Sequence, residues 1–169
     1  MFDPRRVLLR RNLFINEDCS KYLSVGYYPA REYQPLVEVG ASTKMPICLS
    51  EEQVRTFMEH LPRICEAMCS DEQYSCLDGE FKLHTTGTYH VARVYFGKKY
   101  ISLHLSELHY MMYMFHVVQN QQILYLRALS DVINYARAAQ NSTVNVEPAT
   151  SAYKSILYPQ LYEELKTIM

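Results

Sequence analysis

The sequence lacks several residue types and patterns that many classes of protein need. It has no Trp and only five Gly among 169 residues, which leaves little material for a glycine-rich phosphate loop. No GxGxxG, GxSxG or HExxH motif occurs, and polar residues interrupt every apolar run before the ~20 residues of a membrane span. We therefore expect neither an enzyme, nor a bound cofactor, nor a membrane protein.

The cysteine residues do not show the spacing of a metal site. Cys65, Cys69 and Cys76 are separated by three and six residues, whereas structural zinc sites use more closely spaced pairs. The number of cysteines is odd, and arginines interrupt the short apolar stretch near the N-terminus, which argues against a disulfide framework and a secretory signal. We expect an intracellular protein with free thiols and no metal.

The composition is that of one folded domain with an unusual choice of aromatic residues. Apolar residues make up 49% of the chain, and 17 basic residues are balanced by 18 acidic ones. This balance excludes a uniformly basic coat protein for nucleic acid, although it allows a locally basic face. The chain has 15 Tyr and six Phe, so aromatic rings with a polar tip are abundant.

The order of predicted elements repeats along the chain. Residues 20–48 have the composition of strands and turns, and Ser50 with Gln53 fits a capping box at the start of a helix. A second series of strands begins at Phe81, and Ser106 is expected to open a second helix. Each copy is an antiparallel sheet followed by a helix. We expect an α+β fold in which the two units form an intramolecular pseudo-dimer, with extra C-terminal helices.

This interpretation divides the chain into five parts, and Pro62 predicts a kink or break in the first helix. The parts are a basic N-terminal arm (1–19), a first sheet–helix unit (20–69), an acidic linker (70–80), a second sheet–helix unit with extended helices (81–140), and a linker with a C-terminal helix (141–169).

The second copy carries the most distinctive run of residues. Residues 91–103 read VARVYFGKKYISL, a strand with an Arg and an aromatic residue, a Gly-Lys-Lys turn, and Ile-Ser-Leu before a helix. This run resembles the central signature of the positive-cofactor-four (PC4-like) transcriptional coactivators. In the first copy, residues 47–53 (ICLSEEQ) resemble the strand-to-helix junction of that family, and residues 31–33 (Arg-Glu-Tyr) resemble its Arg-Glu-Tyr triplet.

The resemblance covers roughly residues 20–66 and 80–118. It implies four strands and a helix per unit, dimerisation through the helix, and binding of single-stranded nucleic acid on curved sheets. Val54 and Leu108 stand where the family has a helix Trp, and Tyr100 stands where Gly is common.

Positive charge is concentrated in the predicted sheets. Residues 81–104 contain four basic residues and no acidic one, whereas residues 49–80 contain two basic and eight acidic residues. Strand alternation places Arg93 and Tyr95 on one face. Binders of single strands combine a positive groove with aromatic rings that stack on bases, although tyrosines beside lysines are also common on ordinary sheets. The candidate binding residues are Arg31, Lys44, Lys82, Arg93, Lys98 and Lys99 for phosphates, with Tyr33, Tyr89 and Tyr95 for bases.

Together these features predict a non-enzymatic protein that binds single-stranded or melted nucleic acid, with DNA favoured, in transcription, replication or repair. An arginine cluster within the first eleven residues could extend the path of the nucleic acid, act as a nuclear localisation signal, or remain a solvated arm. The alternative is a protein-interaction or assembly module in which the same sheets have lost their ligand. The C-terminal helices would then carry a homo-oligomer contact or a protein partner.

Overall fold

The computed structural model describes residues 7–70, 72–78, 81–86, 91–140, 160–161 and 163–164. The described elements alternate between runs of strands and single helices, with one short 3-10 turn at Pro29–Arg31. In chain order they are β1 (Leu8–Phe14), β2 (Lys21–Tyr28), β3 (Gln34–Ala41), β4 (Lys44–Leu49), α1 (Glu51–Cys69), β5 (Ser75–Asp78), β6 (Phe81–Thr86), β7 (Val91–Phe96), β8 (Lys99–His104), α2 (Leu105–Arg127) and α3 (Leu129–Gln140).

The strands form two antiparallel sheets of four, in the orders β1-β2-β3-β4 and β5-β6-β7-β8. Each sheet is a meander whose last strand leads directly into a long helix. The predicted α+β fold of two sheet–helix units paired within one chain is therefore confirmed, as are additional helical residues after the second unit.

The two units use the same strand register. Val39 on β3 pairs with Ile47 on β4, and Val94 on β7 pairs with Ile101 on β8. All four side chains are buried in the core. Positions in the first sheet can therefore be matched to positions in the second by counting from these pairs, and we use this correspondence below.

A capping box fixes the start of α1 as the sequence predicts. The Ser50 Oγ accepts a hydrogen bond from the Gln53 backbone N–H at 3.3 Å, and the Gln53 Oε1 accepts one from the Ser50 N–H at 2.9 Å. The helix then continues through Pro62 to Cys69 instead of ending near the proline. Leu61 and Ile64 on either side are buried, and this packing holds the helix together across the missing backbone donor.

The helix α2 begins one residue before the predicted Ser106, at Leu105. His104 is its N-cap residue, and the Glu107 Oε2 accepts a hydrogen bond from the His104 backbone N–H at 2.8 Å. Glu107 also pairs with the Lys21 ammonium at 2.7 Å. The first turn of α2 is thereby joined to β2 of the other unit.

Each helix packs on the sheet of the other unit as well as on its own. α1 contacts β6 and β7, and α2 crosses β2 and β3. In the second of these contacts the Tyr125 ring stacks on Tyr27 with centroids 4.6 Å apart, and the Gln122 amide donates a hydrogen bond to the Pro35 carbonyl at 3.0 Å. The two helices meet through Phe57 and Phe115, which are buried edge-to-face at 4.9 Å. A single hydrophobic core therefore joins both units.

Two strands lie in segments that the sequence analysis assigns to an arm and a linker. β1 lies in the segment 1–19 and pairs with β2, although a bulge between Leu8 and Arg11 disturbs its alternation. β5 lies in the segment 70–80 and pairs with β6. The predicted C-terminal helix is seen only at residues 160–161 and 163–164, and the rest of it lies outside the described residues. None of the helices in the described part of the chain is both long and apolar enough to cross a membrane.

Candidate nucleic-acid interface

One face of the second sheet is polar, basic and aromatic. Leu83, Val94 and Ile101 alternate into the core, so their neighbours along each strand lie on the opposite side. We call that side the outer face of the second sheet. Its members are Ser75, Leu77, Lys82, His84, Val91, Arg93, Tyr95, Tyr100, Ser102 and His104.

Three aromatic rings follow one another across this outer face. His84 on β6 stacks on Tyr95 on β7, with ring centroids 5.1 Å apart and planes 14° from parallel. Tyr95 in turn lies beside Tyr100 on β8, at 5.5 Å and 33°. Tyr95 and Tyr100 are also direct partners in the strand register. We call these three side chains the ring row.

Cations flank the ring row from both units. The Lys44 ammonium of β4 lies 3.7 Å from the centre of the Tyr100 ring, and the Arg93 guanidinium lies 5.6 Å from the same ring. Lys82 pairs with Tyr95 in the strand register, and its side chain is exposed. The row is thus positive along its length.

The contact between Lys44 and Tyr100 lies where the two sheets meet. β4 and β8 are adjacent edges, and the Lys99 ammonium donates a hydrogen bond to the Pro46 carbonyl at 3.4 Å. Counted from the matched register, Pro46 corresponds to Tyr100. A lysine near the start of the fourth strand of each unit therefore contacts the fourth strand of the other unit, although the two lysines are not equivalent, because Lys44 corresponds to Lys98 in the matched register.

Within the part of the chain that the structure describes, no carboxylate neutralises the charge of the outer face. None of its residues is acidic, and within the described residues neither Lys82 nor Arg93 forms an ion pair. Lys98 and Lys99 at the β7–β8 turn are exposed as well. These cations are available to an anionic ligand.

His84 is held in its neutral form by this environment. Burial lowers its pKa from 6.5, and the nearby charges of Lys82 and Arg93 lower the pKa further. Its Nδ1 is buried and has no hydrogen-bond partner among the described residues. The ring can therefore act as a stacking surface beside Tyr95 without adding charge at neutral pH.

The structure brings six of the nine predicted site residues to the outer face or its edge. Lys82, Arg93 and Tyr95 are on the outer face, and Lys44, Lys98 and Lys99 are at the adjoining strand ends. Tyr89 lies outside the described residues.

The other two predicted residues belong to the first unit, at the β2–β3 connection. Arg31 is exposed at the end of the 3-10 turn. Tyr33 is partly buried and packs against the hydrophobic core, with a positive φ of 62°. The placement of Tyr33 is typical of a packing residue in a tight turn and does not suit a base-stacking platform.

Two members of the ring row are absent from the predicted set. Tyr100 stands at a position where Gly is common in the family that the sequence resembles, so the resemblance gives no reason to include it. Its pairing with Tyr95 across the β7–β8 turn places it on the outer face. His84 and Lys82 are two residues apart in the strand Phe81–Thr86. Strand alternation alone therefore predicts that His84 shares the face of Lys82. The partner of Tyr100, Lys44, is in the other unit, and no local pattern reports that contact.

The described residues contain no group of three His, Cys, Asp or Glu side chains that could hold a metal ion. Comparison of the chain with protein-family models, with curated proteins and with solved structures finds no match.

Proposed function

We propose that this protein binds single-stranded or locally melted nucleic acid, DNA in particular, on the outer face of the second sheet. The observation that carries the proposal is the ring row, whose exposed end at Tyr100 lies under the Lys44 ammonium. Phosphates would contact Lys44, Lys82, Arg93 and the turn lysines, and bases would stack on the rings.

The chemistry of the row favours unpaired bases. A ring on an open sheet can stack only on a base whose face is free, and each such stack contributes about 1–3 kcal/mol. Tyr100 is 40% exposed, so a base can reach the part of the ring that the Lys44 ammonium and Tyr95 do not cover. The bases of a duplex are already stacked on one another and present only their edges in the grooves. The residues of the row also offer no array of amides or carboxylates for reading base edges, so we expect weak sequence preference.

The direct test is titration of a fluorescent ~20-nucleotide single strand, and of the matching duplex, by anisotropy at low and near-physiological salt. We expect the single strand to bind more tightly and the affinity to fall steeply with salt, because phosphate contacts release counterions.

Replacing Lys98 and Lys99 together by Ala should weaken binding about tenfold at low salt and reduce the salt slope by about 1.4, since each single-strand phosphate contact contributes ~0.7. The matched control replaces Arg55 and Arg63 by Ala, because both are exposed on α1 and their loss removes the same charge elsewhere. Equal effects of the two double variants would contradict a site on the sheet.

A second function, protein–protein interaction, is favoured by one observation on α2. Between Glu107 and Arg127 this helix has no charged residue, and it exposes Tyr110, Tyr113 and Val117 at helical spacing. Apolar exposure of this kind is typical of a contact surface. Failure of the protein to bind either nucleic acid at low salt would favour this function over the first.

A further inference from the structure

The outer face of the first sheet is built around a buried carboxylate. Glu38 on β3 is 4% exposed, and its Oε2 accepts hydrogen bonds from the Arg10 guanidinium at 2.6 Å and from the Ser24 hydroxyl at 2.9 Å. Burial, followed by the negative charge of Glu38, raises the pKa of the neighbouring Tyr28 phenol well above its ordinary value. The Arg10 cation is thus committed to an internal partner.

Side chains also cover the backbone of this face. The Tyr22 ring lies over Gly40, where any side chain would collide with it, and the Arg10 guanidinium lies 5.2 Å from the centre of the same ring. Further along β2, Val7 covers Gly26 in the same way. Among the described residues, this face has no series of three neighbouring rings like the ring row.

The corresponding positions of the second sheet have the opposite character. Glu38 and Ser24 are strand partners, and so are Arg93 and His84. Counting along the strands from the matched register gives four equivalent pairs, written with the first unit first: Glu38 and Arg93, Ser24 and His84, Tyr22 and Lys82, Gly40 and Tyr95.

The pair of Arg10 and Glu38 is buried on the side of the carboxylate only. The Glu38 side chain is 5% exposed and the Arg10 side chain is 36% exposed, so Glu38 bears most of the desolvation cost. Loss of Arg10 would leave an uncompensated charge at Glu38. The pair thus binds one cation of this face to a carboxylate, and the two residues together add no net charge to the face.

We propose that Glu38 excludes nucleic acid from the first sheet, so that only one of the two related sheets binds a strand. Its carboxylate occupies the position at which the second sheet presents Arg93, and it neutralises the Arg10 guanidinium, which would otherwise attract a phosphate. A single strand then crosses the second sheet and leaves it at Lys44, and one chain binds one strand. This inference rests on the proposed function.

The first test compares matched amide variants of the two faces, with the same ~20-nucleotide strand and anisotropy at several salt concentrations. Arg93→Gln should weaken binding by about three- to tenfold at low salt and lower the salt slope by ~0.7. The double variant Arg10→Gln with Glu38→Gln should leave both quantities unchanged within about twofold. Glu38→Gln alone frees Arg10 and should raise the slope by ~0.7 with tighter binding.

Two results would overturn the inference while leaving the proposed function intact. One is a loss of affinity in the Arg10/Glu38 double variant equal to that of Arg93→Gln, and the other is an unchanged slope for Glu38→Gln. If the wild-type protein does not bind the single strand at all, the proposed function is wrong, and this inference is wrong with it. Thermal melting of every variant establishes that it is folded.

A second measurement needs no variant and so does not depend on how the variants fold. Photo-crosslinking of a 5-iodouracil-substituted single strand to the wild-type protein, followed by mass spectrometry, should label Tyr95 or Tyr100 and leave Tyr22 and Tyr28 unlabelled. Native mass spectrometry should show one strand per chain at saturation. Crosslinks to Tyr22 or Tyr28, or two strands per chain, would contradict the inference.

Discussion

In the proposed function, a single residue of the ring row, His84, would couple nucleic-acid binding to the uptake of a proton. Lys82 on its own strand and Arg93 on the neighbouring strand both face it, and together with burial they lower its pKa. A phosphate bound between these cations would offset their charge, and the pKa of His84 would then rise. By linkage, the affinity must increase as the pH falls through the interval between the free and the bound pKa values.

We therefore expect single-strand affinity to rise severalfold between pH 7.5 and pH 5.5, and His84→Asn to flatten most of that rise. The measurement is anisotropy titration at fixed ionic strength across this range. His104 is also on the outer face, so His104→Asn is the matched control and should retain the wild-type slope of affinity against pH.

The folded state takes up a proton at His84 less readily than the unfolded state, so the stability of the protein falls as the pH drops below 6.5. Melting curves should therefore accompany each pH, and an unaltered pH profile in His84→Asn would contradict the phosphate position.

At the scale of elements, aromatic packing holds the helices α1 and α2 together. Phe57 and Phe115 are both fully buried and meet edge-to-face. Replacing Phe115 by Ala should destabilise the protein by about 3–5 kcal/mol, because it removes buried area and leaves a cavity between two elements that cannot collapse freely. Denaturant unfolding followed by circular dichroism measures this change.

The control for this prediction lies on the same helix, two residues away. Tyr113 is 76% exposed, and its replacement by Ala should change the free energy of unfolding by no more than about 0.5 kcal/mol. Similar losses in the two variants would mean that α2 is buried on both sides and that the observed arrangement of helices is wrong.

The sequence predicts some elements well because their signals are local. The strand composition of residues 20–48 and the capping box at Ser50 are signals of this kind, and the structure has the strands β2 to β4 and the start of α1 where they are predicted. The sequence does not predict β1, because its bulge places Leu8 and Leu9 both in the core and breaks the period of two. The sequence does not predict β5, because a four-residue edge strand within a polar and acidic segment resembles a linker.

Only the part of the candidate site that follows from the alternation of side chains along a single strand can be predicted from the sequence. The sequence predicts that Arg93 and Tyr95 share one face, because they are two residues apart in a strand. The contact of Lys44 with Tyr100 joins residues of different units, and the pairing of Arg10 with Glu38 joins β1 to β3 across β2. Both depend on three-dimensional packing, for which neither charge nor spacing along the chain gives a signal.

At the scale of the whole molecule, the crossing of each helix onto the sheet of the other unit makes the two halves depend on one another. Tyr27 on β2 donates a hydrogen bond to the Tyr125 carbonyl of α2 at 2.8 Å, and the Tyr125 hydroxyl donates one to the Leu9 carbonyl at 2.9 Å. The helix α2, which belongs to the second unit, thus covers the first sheet. Neither unit can bury its own sheet alone, so we expect one cooperative unfolding transition.

Ile47 and Ile101 provide a matched test of this cooperativity, because they occupy equivalent register positions and both are buried. Ile47→Val and Ile101→Val should each destabilise the protein by roughly 0.5–1.5 kcal/mol and shift a single transition. Hydrogen exchange followed by mass spectrometry should then show that either variant lowers the protection of the globally exchanging amides in both sheets by the same factor, since one opening event exposes both. A loss of protection confined to the substituted unit would show that the two units open independently. The contact of Lys44 with Tyr100 could then not hold the cation of the first unit in a fixed position over the proposed binding surface of the second.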